Sequence, residues 1–255
     1  MTCKNILIAI LFLAMSAGGG CRKQEDSAKK ELIVLCGSSF VPPAEELIRR
    51  FKEETGVEVA TTSAGSEDFL PLVKTGQKGD ILITHDPFLD EVQQAGALLD
   101  SAEVGFVAPV LAVAKGNPKG VKSIEDLTME GLRVALSNPQ YSTCGEMVFD
   151  LLGKKGIKGA VLVNVGNRLT KGHGNLGTLL QTGAVDAAIL WNGVAHNYLE
   201  HIEIVPTPYE YDATIRAHVI GLKYSKNPDL VREFITFAQK HGPEIFASFG
   251  YVKGE

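Results

Sequence analysis

Short apolar runs and amphipathic stretches alternate along most of this chain. Residues 32–35 form a continuous apolar run, interrupted by Gly37-Ser38-Ser39. Pro42-Pro43 then opens the stretch AEELIRRFKEETG, in which Leu47, Ile48 and Phe51 share one helical face and Gly56 supplies the stop. The same reading predicts strands at 57–60, 81–84, 107–114, 133–136, 161–163 and 187–191. Helices are predicted at 66–75, 87–95, 145–155 and 175–182, with a last one at 229–240 behind Asn227-Pro228. Continuous apolar strands alternating with helices predict an α/β fold, its parallel sheets covered on both faces.

The first twenty residues stand outside this alternation. Lys4 gives a positive start, residues 6–15 are unbroken apolar, and 16–20 are small. That is the order of a secretory signal, and the apolar run is too short to span a bilayer. Residues 22–30 (RKQEDSAKK) are almost wholly polar and read as a tether. The length of chain beyond the tether suits two α/β lobes of about a hundred residues each.

Composition adds exclusions. Hydrophobic residues are 45% and charged residues 22%, which excludes disordered and fibrous classes. The net charge of −5 becomes −6 once Lys4 leaves with the leader. Nucleic acid and anionic membrane surfaces both need a basic footprint, so neither is an expected partner. Any anion must be bound by local groups.

Local groups of that kind stand before four predicted helices: Ser38-Ser39, Ser66, Ser142-Thr143 and His173. In open α/β sheets such turns lie at the carboxyl ends of strands, where ligands bind. Helix N-termini offer unpaired N–H groups and partial positive charge, so several converging ones make an anion socket. The plainer reading is that these side chains only cap their helices, and Thr143-Cys144-Gly145-Glu146 has the form of a capping box.

The cysteines carry competing readings. Cys36 and Cys144 remain after the leader and Cys21 are set aside, and both are expected beside the cleft. They could be inert, could form a disulfide in an oxidising compartment, or could join His85 and His173 as soft ligands for a transition-metal cation. No CxxC or HxxxH spacing supports a metal site. A thiol enzyme would use Cys144 as nucleophile and His173 as base, but no orienting third residue and no GxSxG motif accompanies them. His196, His201, His218 and His241 are read as solvated, Asp80 and Asp86 as stabilising turns, and Tyr209 and Tyr211 as residues of a Pro-rich loop that form no adjacent pair.

Two resemblances sharpen this picture. Gly18-Gly19-Gly20-Cys21 resembles the lipobox of bacterial lipoproteins, departing from it at Gly18, where a branched residue is usual. It implies lipidation of Cys21. Further on, the series CGSSF, FKEETGVEV, Ala64-Gly65-Ser66, GDILITHDPFLDEVQQAGAL, VLAVAKGNPK, SIEDL, RVALSNP and the tail from Tyr224 runs in order to the end. Together these resemble the molybdate- and tungstate-binding subset of the type II periplasmic binding proteins.

That resemblance implies two α/β lobes, 31–108 with 218–255 and 109–217, joined by crossing strands near 107–112 and 217–221. It implies an oxyanion receptor of an ABC importer, not an enzyme, with no cofactor. It would be a monomer, lipid-anchored outside the cytoplasmic membrane or in the periplasm, with a membrane permease as partner. Ser39 and Ser66 fall on hydroxyl-donating positions of the first lobe, with Ser38 beside them. In the second lobe, beside Ser142 and Thr143, Cys144 stands for a small residue donating its backbone N–H. His173 lies near an aliphatic position, and Trp191 replaces a donating Tyr. Glu67 and Asp68 would repel an anion if turned inward, although some relatives add carboxylates to the metal's shell.

Overall fold

The computed structural model describes residues 31–206 and 215–252. The leader, Cys21, the tether, Tyr209 and Tyr211 lie outside them. In chain order the elements begin with β1 (Glu31–Gly37), a 3-10 turn (Ser38–Phe40), α1 (Val41–Thr55), β2 (Glu58–Ala64) and α2 (Ser66–Lys74). Next come β3 (Ile81–His85), α3 (Phe88–Gln94), β4 (Leu98–Val107), β5 (Pro109–Ala114) and β6 (Val134–Ser137). After these are α4 (Thr143–Lys154), α5 (Lys158–Val165), β7 (Leu169–Thr170), α6 (His173–Gln181), β8 (Ala187–Trp191) and α7 (Asn192–His196). The chain closes with β9 (Ile202–Ile204), β10 (Ile215–Leu222) and α8 (Pro228–Ser248).

The strands form two five-stranded mixed sheets, ordered β2-β1-β3-β10-β4 and β7-β6-β8-β5-β9. In the first, β1 runs parallel to β2 and β3, while β10 is antiparallel to β3 and β4. In the second, β6 is parallel to β7 and β8, and β5 is antiparallel to β8 and β9. The chain passes from one sheet to the other at Ala108, between β4 and β5.

Asn192 fastens that crossing. It exchanges backbone and side-chain bonds with Ala108 (Asn192 N to the Ala108 carbonyl, 2.9 Å; Ala108 N to Asn192 Oδ1, 3.2 Å). Its amide also donates to the carbonyls of Phe106 and Val252.

Helices follow from local chemistry. α1 starts on two prolines, buries Leu47 and Phe51 four residues apart, and ends where Gly56 (φ 71°) donates its N–H back to Lys52. Phe51 meets the edges of Phe234 and Phe237 of α8 at 4.8 and 5.4 Å. α8 runs past its expected end and through Pro243 to Ser248, because its buried positions continue through Gly242, Ile245 and Phe246.

One predicted strand is a helix. The run at 161–163 lies inside α5, where Val161 and Val165 are buried and Val163 is exposed. The buried positions are four apart, a helical period that the cluster of valines obscures. No described helix is long and apolar enough to cross a membrane.

Candidate functional site

A small cavity of about 30 Å³ lies where the two sheets face each other. It is bordered by the turn after β1 and the start of α2 from one side, and by the starts of α4 and α6 from the other. His85 at the end of β3 and Trp191 at the end of β8 complete the wall. Ser38, Ser39, Ser66, Ser142, Thr143, His173 and Trp191, all expected at the site, line this space together.

Ser66 is the first residue of α2 and is nearly buried. Its Oγ accepts a hydrogen bond from Thr84 Oγ1 at 2.8 Å, so its own proton is available to another acceptor. Gly37 makes room for it, because a Cβ there would come within 2.8 Å of Ser66 Oγ. Ser38 is exposed and Ser39 half-buried in the 3-10 turn, and the Ser39 carbonyl accepts the Tyr251 hydroxyl proton.

Across the gap, Ser142 is the N-cap of α4 and accepts the Gly145 N–H at 3.3 Å. The cap therefore falls one residue before the capping box expected at Thr143, because Ser142 has the extended backbone that a cap requires. Ser142 Oγ also lies 3.1 Å from His173 Nε2. His173, in the first turn of α6 rather than ahead of it, stacks on Trp191 at 5.4 Å and 26°. The other imidazole, His85, meets Trp191 at a steeper 66° and 5.5 Å. Burial pushes both imidazoles down, His85 to about 4 and His173 to about 3, so each is neutral at pH 7.

Two acids reach across from α2. Glu67 lines the cavity, and the Thr143 N–H at the start of α4 faces its carboxylate and favours the charged form. Burial raises the Glu67 carboxyl despite that N–H, and the nearby charges of Asp68 and Glu146 add to the rise. Asp68 pairs with Lys171 at 2.9 Å, and Lys171 also lies over the Tyr141 ring. Glu67, Lys171, Tyr141 and Gly37 thus join the cavity wall without having been singled out as ligand contacts. The signal available for Lys171 and Tyr141 was their place in turns leading to helices that carry expected contacts.

Cys144 departs from expectation. Its thiol is fully buried, does not line the cavity, and is pushed up by burial. Cys36 is likewise buried outside the cavity wall, its thiol raised to about 12 first by burial and then by Glu45. Both thiols are free, so no disulfide joins them. Buried away from the cavity wall, neither thiol is placed to attack or ligate a molecule held there. Among the described residues no group of three or more His, Cys, Asp and Glu is placed to hold a metal ion.

His218 is also corrected. It is buried, with Nε2 2.9 Å from Asp86 Oδ1, while Arg216 Nε donates to Asp86 Oδ2 at 3.0 Å. His241 is half-buried against the Phe237 ring, and His196 and His201 are exposed.

A family model described as bacterial extracellular solute-binding protein matches residues 32–252. The chain belongs to that family. The molybdate-binding protein ModA of Mycobacterium tuberculosis is 26% identical over 230 residues, covering 88% of this chain and 85% of the relative. The solved periplasmic molybdate-binding protein of Azotobacter vinelandii superposes with a TM-score of 0.70 at 18% identity, over 88% of this chain and all of that one. The sulfate-binding protein SubI of Mycobacterium tuberculosis also gives 0.70, at 17% identity, over 87% of this chain and 86% of that one. At such identities the structural likeness establishes the fold. This chain is an extracellular solute-binding protein, built as two α/β lobes, in a family of binding proteins rather than enzymes.

Proposed function

We propose that this protein is the receptor of an ABC importer and captures a small tetrahedral oxyanion between its lobes, with molybdate and tungstate as first candidates. The carrying observation is the convergence of three helix starts, those of α2, α4 and α6, with serine hydroxyls on one small cavity. Relatives that bind molybdate and sulfate support an oxyanion of this shape. Ser38, Ser39, Ser66, Ser142, Thr143, His173 and Trp191 form the contact set.

Binding replaces the anion's hydration shell with fixed N–H and O–H donors, whose orientation is set before the ligand arrives. The lobes, 31–108 with 218–255 against 109–217, close on the ligand about their crossing strands and present a joint surface to the permease. Lipidation at Cys21 would hold the protein at the outer side of the membrane. Elemental analysis of the purified protein, followed by calorimetric titration with molybdate, tungstate, sulfate and divalent metals, tests this reading. Stoichiometric Mo or W with tight dianion binding is the expected result. Zn, Cu or Fe instead, with no response to any dianion, would overturn it.

A further inference from the structure

The cavity contains one group of the wrong polarity for a bare anion. His85 Nδ1 lies 2.6 Å from the backbone carbonyl oxygen of Asp86. A carbonyl can only accept, so Nδ1 carries the ring proton, and in the neutral ring Nε2 carries a lone pair. Nε2 has no hydrogen-bond partner among the described residues. The one side-chain nitrogen or oxygen there that is both enclosed and unpartnered is His241 Nε2. His85 Nε2 must therefore touch open space, and the space this 5%-exposed residue borders is the cavity. The rings of Phe40, Phe88 and Trp191 hold the imidazole at 6.0, 5.4 and 5.5 Å, so it is packed in place.

The second imidazole and the two nearest acids are engaged elsewhere. His173 has the Ser137 and Ser142 hydroxyls within 3.1–3.5 Å, and the Glu67 carboxylate faces the Thr143 N–H. Of the charges around His85, Asp86 is bound by Arg216 and His218 of β10, and Lys171 is paired with Asp68. An unprotonated oxyanion would set a lone pair against the lone pair of Nε2. A proton between them turns that clash into a hydrogen bond.

We infer that His85 Nε2 is the proton acceptor of the binding cavity, so that the oxyanion is held with one proton shared between it and His85. The inference rests on the oxyanion reading above. The proton has two sources. A monohydrogen dianion, such as hydrogen phosphate or hydrogen arsenate, brings it on its own hydroxyl. A bare dianion, such as molybdate or sulfate, binds only as solvent supplies a proton to Nε2, giving an imidazolium that donates to the anion.

Calorimetry of the wild-type protein at pH 8.5, in two buffers of different ionisation enthalpy, counts the protons exchanged with molybdate, sulfate and phosphate. About one proton taken up per molybdate or sulfate, and none with hydrogen phosphate, is expected from the linkage. The Kd of a bare dianion should rise about tenfold between pH 7.5 and 8.5, and hydrogen phosphate binding alone would equally support the acceptor. In His85→Gln, whose amide can donate directly, the uptake should vanish. Bare dianions bound without proton exchange, or uptake that persists in His85→Gln, would overturn the inference and leave the oxyanion receptor standing. Absence of binding by all three anions would overturn both.

Discussion

Thr84 gives its hydroxyl proton to Ser66, 2.8 Å away, and so directs where the Ser66 proton can go. Ser66→Ala should weaken oxyanion binding by about 1.5–3 kcal/mol, the range for hydrogen bonds to charged groups, as read by titration calorimetry. Ser39→Ala should do the same, and unchanged affinity in both would remove the pocket from contention. The buried imidazoles make a second residue-level prediction. Their folded-state values, about 4 for His85 and about 3 for His173, lie below the ordinary 6.5. Between those values the unfolded chain binds more protons than the native one. The stability of the ligand-free protein should therefore be full above pH 6.5 and fall as pH drops toward 4 and then 3. Thermal melts at pH 7.5 and 5 would test the direction, and a Tm unchanged between them would contradict it.

At the level of elements, α4 shows a cap serving two ends. Ser142 satisfies the Gly145 N–H and also meets His173 of α6. Ser142→Ala should cost about 1 kcal/mol of stability from the cap, seen in denaturant unfolding, and should weaken binding as well. A stability loss with unaltered affinity would make Ser142 a cap only. The start of this helix was legible in the sequence only to within a residue, because Ser142 and Thr143 have the same capping chemistry and the backbone conformation decides between them. The 161–163 run was misread for a related reason. Branched apolar residues suit a strand, and only the burial of Val161 and Val165 reveals the helical face. α1 was legible because prolines, a four-residue apolar spacing and a terminal glycine all agree.

Over the whole molecule, seven residues expected at the site, from Ser38 to Trp191, border one cavity; six were legible from their place at the starts of helices and Trp191 from the resemblance alone. What lies between them was not legible. The Asp68–Lys171 bridge, the packing of His85 and the turning of both thiols into the core depend on how the two sheets meet. Asp68→Asn should weaken ligand binding a few-fold at low salt and less at high salt, since the pair joins exposed groups across the gap. Equal affinity of variant and wild type at low salt would separate the bridge from closure. Gly193 belongs to the same scale, because a Cβ there would fall 2.2 Å from the Tyr251 ring. Gly193→Ala should cost about 1–3 kcal/mol by overpacking, measured by denaturant unfolding. The chain contains a single tryptophan, Trp191, placed between the two cavity imidazoles. The protein consequently carries its own optical probe: indole emission from the entire molecule originates at the cavity wall, so an anion entering there would alter it without any label.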